Sequence, residues 1–297
     1  MSRRRFQDVQ LITYNIQYGR GKDERFDLTR IAGEIQGADV IALQEVERHW
    51  SRSGDADQPA EIAKRLGDYY WAYGAGVDLH ADSPPGAGSG ANRRRQFGNM
   101  LLSRSPILSS RNHLLPKYAS LGPMSLQRNA LECVVDTRRG PLRFYSVHLT
   151  HLAAETRMPQ VERLLDIHRN ARVEGAALSG GGLAEEWTRD GMPPPMPGEA
   201  VLMGDFNFEP DSAEYARIAG PVSPYGGRVV NPEGFVDAWV ETGHELDQGV
   251  TAEIDGRPVR LDYCFVSAAL RGLIRSVEID GEAAGSDHQP VRLSIEL

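Results

Sequence analysis

Asp39-Val40-Ile41-Ala42-Leu43-Gln44-Glu45-Val46 runs four apolar residues together and then turns polar at Gln44-Glu45. A short, near-continuous apolar run bounded by polar residues reads as a strand buried on both faces. Upstream, residues 9–16 are rich in β-branched and aromatic side chains and read as a second strand. Between the two, Asp27 precedes a segment whose Leu28, Ile31, Ala32 and Ile35 share one helical face, and Gly37 marks its end. A second short helix is expected over about residues 60–66. The chain therefore opens as β-α-β-α.

Downstream the pattern changes to strands in series, at residues 97–103, 107–115, 129–136 and 142–149. Ser-Pro, other Pro-containing and Arg-Arg-Gly-Pro breakers separate them, which predicts antiparallel pairing. A longer helix is expected over 155–170, with Val161, Leu164, Leu165 and His168 on one stripe. Pro159 must then sit near its first turn or kink it. A strand at 200–204, a helix at 212–218 and strands at 260–267, 274–279 and 290–296 complete the order. Two mixed sheets packed face to face with helices outside accommodate it, so the fold class is an α/β sandwich. No repeat or linker divides the chain, and residues 1–297 read as one domain.

Two segments stand apart by composition as loop insertions. Residues 74–95 are rich in Gly, Ala, Ser and Pro and end in Arg93-Arg94-Arg95, while residues 175–199 hold Gly180-Gly181-Gly182 and Pro193-Pro194-Pro195. Each reads as a surface insertion or as an active-site lid or specificity loop. The arginine run reads as a solvated surface or as a guide for phosphorylated substrates. Trp50, Tyr69, Tyr70 and Trp71 read as residues packed in or beside a strand.

The 297 residues are 40% hydrophobic and 25% charged, enough for a substantial core, which excludes a disordered chain and a disulfide-stapled miniprotein. With 33 basic and 41 acidic residues the net charge is −8, which argues against a non-specific coat for nucleic acid. Cys133 and Cys264 lie in apolar alternating runs and read as reduced, packed side chains. Ser2-Arg3-Arg4-Arg5-Phe6 has the look of a twin-arginine signal, but no apolar segment follows it. No stretch approaches 18 apolar residues. The expectation is a cytoplasmic protein without stable membrane association.

The informative feature is where polar groups fall. Asn15, Glu45, His148, Asp205, Asn207, Asp262 and the Asp287-His288 pair all sit at or just past the end of an apolar, strand-like run. Strand ends are where layered α/β proteins present reacting groups on a rigid base. Taken singly each has an ordinary reading, as a turn residue, a helix-start carboxylate or a packed histidine. Together those readings would all have to coincide. Carboxylates with an amide oxygen and no cysteine suit a hard divalent cation, Mg²⁺ or Mn²⁺. Zinc-type His-Glu-x-x-His spacing, a phosphate-binding Gly-x-x-x-x-Gly-Lys loop and a Gly-x-Ser-x-Gly elbow are all missing from the sequence.

Thr13-Tyr14-Asn15-Ile16, Leu43-Gln44-Glu45-Val46, Gly98-Asn99-Met100, Ser146-Val147-His148-Leu149, Gly204-Asp205-Phe206-Asn207, Arg260-Leu261-Asp262-Tyr263 and Ser286-Asp287-His288-Gln289-Pro290 follow one another in an order that resembles the endonuclease/exonuclease/phosphatase superfamily. The resemblance spans about Leu11 to Pro290. It implies a four-layer α/β/β/α sandwich of two mixed β-sheets flanked by helices, and metal-dependent phosphoester hydrolysis. By that resemblance Glu45 anchors a Mg²⁺ or Mn²⁺ ion that neutralises phosphoryl charge, with Asn15 and Asp287 as further ligands or water-mediated supports. Asp205 would orient and deprotonate the attacking water, and Asn207 would hold the phosphate or that water in line. His288 would stabilise charge as an imidazolium, supported by Asp262, and His148 would donate to a phosphoryl oxygen. Arg128 reads either as a substrate-phosphate contact or as half of a structural salt bridge. Asn99 reads as support for the site or as a turn residue, and His151 is a further histidine nearby.

The expected substrate is a small-molecule or lipid-headgroup phosphoester. The alternatives are a nuclease acting on DNA or RNA and, in another class, a non-catalytic phosphate-binding protein. The Tyr-x-Pro-Asn-Gly pattern of the abasic-DNA nucleases is missing here, and the acidic charge weighs the same way. No apolar hairpin with exposed aromatic residues for membrane docking is evident, and the sequence leaves the oligomeric state open.

Overall fold

The computed structural model describes residues 8–82, 92–182 and 184–297. In chain order the elements are β1 (Asp8–Asn15), α1 (Leu28–Ile35), β2 (Val40–Arg48), α2 (Gln58–Leu66), β3 (Tyr70–His80), β4 (Arg94–Ser103), β5 (Ile107–Leu114), β6 (Asn129–Thr137) and β7 (Gly140–His148). They continue as α3 (Ala154–Glu174), α4 (Glu185–Thr188), β8 (Ala200–Asp205), α5 (Ala213–Ala219), β9 (Phe235–Asp237), α6 (Ala238–Glu241), β10 (Ala252–Ile254), β11 (Arg257–Val259), β12 (Asp262–Ser267), β13 (Ile274–Ile279) and β14 (Val291–Glu296). One six-stranded sheet has the order β13-β14-β1-β2-β4-β3, the other β5-β6-β7-β8-β12-β9, and β10-β11 form a separate hairpin. β1 with β2 and β7 with β8 are parallel, so both sheets are mixed.

The period-two alternation of the strands sorts their side chains into three apolar layers. Ile12, Tyr14, Ile41 and Leu43 face outward beneath Ile31 and Ile35 of α1 and Ile62 of α2. Leu11, Val40, Ala42 and Leu101 face inward and meet Leu131, Phe144, Val201, Met203, Cys264 and Val266 of the second sheet. Tyr145, Val147, Leu202 and Phe265 face the other way, under Val161 and Leu164 of α3 and Tyr215 of α5. Helix, sheet, sheet and helix thus stack in four layers. Cys133 and Cys264 are both buried and unbridged. Among the described residues no helix is long and apolar enough to cross a membrane.

Towards one end of the sandwich the inward face turns polar. Gln44 Nε2 donates across the sheets to Ser146 Oγ at 2.9 Å, and Ser146 Oγ donates to the Leu43 carbonyl at 2.9 Å. Asn99 Nδ2 donates to the carbonyls of Asn129 and Ser146, both at 2.9 Å. Buried polar groups paired in this way keep the two sheets in one register where apolar packing stops.

Several expectations need correction. The insertion expected at 74–95 is in large part sheet: residues 74–80 are the second part of β3, and Arg94 and Arg95 open β4, with His80 opposite Arg94. Residues 83–91 of that segment lie outside the described residues. Gly74 and Gly76 suggested a loop but mark close packing. A Cβ at Gly74 would stand 2.5 Å from Asn112 Oδ1, and one at Gly76 would stand 2.4 Å from the Gln127 carbonyl. Arg93-Arg94-Arg95 is not a freely solvated run, because Arg93 binds Asp55, Arg94 binds Asp78 and Arg95 stacks on Trp50. Pro159 lies in the second turn of α3, just past the first turn near which it was expected to sit unless it kinked the helix. The two ends of the 175–199 segment are held away from the cleft: Gly175 accepts from Arg111, and Gly198, just before β8, accepts from Arg143. Asp205 lies at the opposite end of β8, about 17 Å away at the rise of an extended strand.

Near the start of β8, fully buried Arg143 donates to His168 Nδ1 at 3.0 Å, and His168 Nε2 meets the Glu233 carbonyl at 3.2 Å. Burial first, and then the Arg143 charge, push the His168 pKa down to about 4. An unfolded histidine takes a proton near pH 6.5, so this group stabilises the fold above that pH and the contribution is lost as pH falls towards 4. Between pH 7.5 and pH 5 the loss comes to about 2 kcal/mol. Urea unfolding of His168→Gln at both pH values should show an acid destabilisation smaller by roughly that amount. Equal losses in both proteins would contradict this account of the Arg143–His168 contact.

Candidate active site

His148 closes β7, Asp205 closes β8 and Asp262 opens β12. The parallel register places His148 beside Asp205 and the antiparallel register places Asp205 beside Asp262, so the three stand in a row across the second sheet. Gly204 makes that approach possible, since a Cβ there would sit 1.9 Å from the Val147 carbonyl oxygen. Phe206 then turns into the aromatic cluster of Phe208, Tyr263 and Phe265, its ring 5.0 Å from that of Phe265. So anchored, the chain brings Asn207 back over the strand end in a left-handed conformation, φ 53°. Its backbone N–H donates to Asp205 Oδ1 at 2.9 Å and its side chain donates to the Leu149 carbonyl at 3.1 Å.

The first sheet supplies Asn15, at the end of β1, and Glu45. Glu45 sits in an irregularity of the β2–β4 pairing between Leu43 and Val46, with φ 59°. A bulge re-aims a side chain that regular pleating would fix, at a cost of order 1–3 kcal/mol in backbone strain for a non-glycine residue. Asn15 Nδ2 donates to Asp205 Oδ2 at 3.0 Å and approaches Glu45 Oε1 at 3.4 Å, joining the two sheets' carboxylates. Gln17, itself at φ 42°, donates from Nε2 to Asp287 Oδ2 at 2.6 Å. The Asp287-His288 turn is fixed by Ser286, whose Oγ donates to Asp287 Oδ1 and accepts from the His288 N–H. Glu34 of α1 holds the preceding loop, accepting from the N–H groups of Ala284 and Gly285 at 2.8 and 2.9 Å.

Electrostatics distinguish the two central histidines. His288 Nδ1 donates to Asp262 Oδ2 at 2.8 Å, and its Nε2 lies 3.8 Å from Asp205 Oδ2. Burial alone would expel its charge, but Asp262 and Asp205 outweigh burial and raise its pKa to about 10. His288 is therefore an imidazolium near neutral pH. His148 accepts from Arg128 Nη1 at its Nδ1, 3.0 Å away, which leaves its proton on Nε2, 3.3 Å from Asp205 Oδ2. Burial and then the Arg128 charge hold its pKa well below the ordinary value, so it is neutral. Asp205 is 2% exposed; burial raises its proton affinity above the carboxylate range, against the pull of His288. Arg128 forms no carboxylate salt bridge among the described residues. Its guanidinium instead serves two histidine rings, with Nη2 3.2 Å from His151 Nδ1.

The donor chemistry at the Glu45 end suits a hard cation. Glu45 has the 3.4 Å approach of Asn15 as its side-chain hydrogen bond, and burial raises its proton affinity against the opposing charges of Arg128 and His288. Asp287 is near enough to add its own negative charge. Among the described residues no three Asp, Glu, His or Cys side chains converge as a metal cage. One or two carboxylates are what Mg²⁺ commonly uses, with waters and substrate oxygens completing its shell. The Asn15 amide oxygen is engaged by the Gln17 N–H at 3.1 Å, so Asn15 enters this structure as a donor between carboxylates.

Asn99 lies inside the sandwich, 1% exposed, with its amide on two backbone carbonyls. Sequence reasoning passed over Gln17, which clamps Asp287, and Thr251, whose hydroxyl accepts from the N–H groups of Leu261 and Asp262. Gln17 follows directly on the first strand-like run but was passed over beside Asn15, and Thr251 sits at the end of no apolar run, so the pattern did not flag it.

Fold and cleft define a class: two-sheet α/β sandwiches with an acid–histidine cleft at one end of the sheets. The chain belongs to the Endonuclease/Exonuclease/phosphatase family, whose model matches residues 12–288. Among solved structures it resembles an endonuclease/exonuclease/phosphatase from Beutenbergia cavernae, with 23% identity, a TM-score of 0.66 and coverage of 98% of this chain and 72% of that one. A Bacteroides vulgatus protein of the same description is 21% identical with a TM-score of 0.65, covering 98% and 99% of the two chains. A mannosyl-6-phosphatase from Bacteroides thetaiotaomicron is 16% identical with a TM-score of 0.58, covering 96% and 98%. No curated protein matches the sequence.

Replacing Asp262 by Asn keeps the shape but removes the charge that holds His288 protonated. Turnover of a phosphoester should fall by about 10²–10⁴-fold, the scale seen when the orienting carboxylate of a catalytic histidine is neutralised. The unfolding midpoint should show that the variant folds. Full turnover in a folded Asp262→Asn protein would remove His288 from the chemistry.

Proposed function

We propose that this protein is a divalent-metal-dependent phosphoester hydrolase whose substrate is a small-molecule or lipid-headgroup phosphoester. The observation that carries the reading is Asp205, a desolvated carboxylate of raised proton affinity faced by neutral His148 and cationic His288. A carboxylate with its affinity shifted towards neutrality is suited to take the proton of an attacking water. Asn207 and Asn15 hold its two oxygens in place, so that the base does not reorient as the proton moves. His288, with its Nδ1 proton committed to Asp262, presents Nε2–H to the charge that builds on the phosphoryl oxygens. Arg128 places a second positive charge behind His148 and fixes that ring's tautomer.

Glu45 and Asp287, with Asn15 in support, are the residues that would hold Mg²⁺ or Mn²⁺. A bound divalent ion would supply neutralisation of the phosphoryl oxygens and of the leaving group. The net charge of −8 and the missing nuclease pattern favour a small substrate over nucleic acid.

Turnover of bis-nitrophenyl phosphate should require Mg²⁺ or Mn²⁺ and stop in EDTA, and Glu45→Gln should reduce it at least about 100-fold at limiting metal. Plasmid and abasic-site DNA should remain intact under the same conditions. EDTA-resistant turnover would contradict the metal assignment. Preferential DNA cutting that vanishes in His288→Ala would move the substrate to nucleic acid and leave the chemistry standing.

A further inference from the structure

Eight non-glycine residues among the described ones have positive φ; Gln17, Tyr18, His49 and Asp55 lie in the loops that follow β1 and β2, and Glu45 in the bulge of β2. Strain of this kind persists where the surrounding contacts impose it, often at ligand sites. Tyr18, one of these residues, stands beside a strip of cationic and aromatic side chains. Tyr18 follows Gln17, the partner of Asp287, and the Arg52 guanidinium carbon lies 4.2 Å from the Tyr18 ring centre. Arg52 also lies 5.0 Å from the Trp50 ring centre, and Arg95 lies 5.1 Å from the same ring. Trp50 is pinned by its indole N–H, which donates to the Gln96 carbonyl at 2.7 Å.

Charge accounting singles out one member. Arg52 is paired with buried Glu47, which Ser53 completes. Arg48 pairs with Asp57, Arg93 with Asp55 and Arg94 with Asp78. Arg95 has no carboxylate partner among the described residues, and its Nε is buried without a hydrogen bond. An orphaned guanidinium N–H costs desolvation free energy that stacking on an indole only partly offsets. Both guanidinium groups lie over one ring, so they are at most about 10 Å apart; Glu47 compensates the charge of Arg52, and the charge of Arg95 is left without a carboxylate among the described residues.

The strip adjoins the reacting groups at both ends. Glu47 is two residues beyond Glu45 on β2. Arg95 is two residues from Phe97 on the same face of β4, and the Phe97 ring lies 6.5 Å from the His148 ring. Arg95 and Phe97 are about 7 Å apart along the strand, and the Phe97 and His148 rings lie a further 6.5 Å apart, a separation that an extended sugar with an anionic group at each end can bridge.

We infer that Tyr18, Trp50, Arg52 and Arg95 form a second subsite, which takes an anionic group carried by the substrate beyond its scissile phosphoryl, a phosphate or a carboxylate. The planar fork of Arg95 matches either group with paired hydrogen bonds. Preferred substrates are then small molecules with two anionic ends. This subsite rests on the phosphoester reading of the cleft.

The test is inhibition of bis-nitrophenyl phosphate turnover, with Mg²⁺ in excess, by fructose 6-phosphate, fructose 1,6-bisphosphate and 6-phosphogluconate. At least one of the two-anion sugars should inhibit tenfold or more tightly than the monophosphate, and which one does so identifies the second anion as phosphate or carboxylate. Arg95→Gln, shown to be folded by circular dichroism, should bring that ratio to within twofold, and Arg95→Lys should restore part of it. Equal inhibition by all three compounds, or a preference that survives in Arg95→Gln, would overturn the subsite. Should the chain not hydrolyse the diester at all, the hydrolase reading fails. Calorimetric titration of wild type and Arg95→Gln with the same three sugars then decides the subsite by the same ratios.

Discussion

Asp205 is a carboxylate held out of water between two β-sheets, and most of the cleft can be understood as the means of keeping it there. Left without partners, a desolvated carboxylate would take up a proton or move towards solvent. Asn15 reaches it from the first sheet, His148 and Asn207 attend it from the second, and His288 faces it from the loop before β14. None of these contacts survives a one-residue slip of a strand, because slippage would turn each inward side chain to the opposite face. The register across the sandwich is therefore also the specification of the site.

That dependence explains why so much was legible in the sequence. Along β1, β2, β7, β8 and β12 the inward positions are apolar until the last turn of the pattern and then polar: Leu11 to Asn15, Ala42 to Gln44, Phe144 to His148, Met203 to Asp205, Cys264 to Asp262. The same alternation that assigns the core assigns the reacting face. Asp27 as a helix cap, with its carboxylate accepting from Thr29 and Arg30, was readable for a similar local reason.

What was not legible depends on contacts between residues distant in sequence. β3 was hidden because its Gly74, Ala75 and Gly76 look like a loop, and only the closeness of Asn112 and Gln127 explains why side chains are absent there. Gln17 and Thr251 act through partners 270 and 11 residues away, and no local pattern marks those contacts. Arg95 looked like one of three interchangeable charges, and it stands out only once the partners of Arg93 and Arg94 are known. The bulge at Glu45 is a further case, since its positive φ follows from the β4 pairing and has no glycine to announce it.

The central claim is that two neighbouring histidines are held in opposite protonation states around one buried carboxylate. Long-range ¹H–¹⁵N correlation spectra of the imidazole rings at pH 8 test it directly, with His148→Gln and His288→Gln giving the assignments. The account predicts a doubly protonated His288 that titrates only near pH 10, and a His148 that remains neutral with its proton on Nε2. A neutral His288 at pH 8, or a His148 protonated on Nδ1, would contradict it.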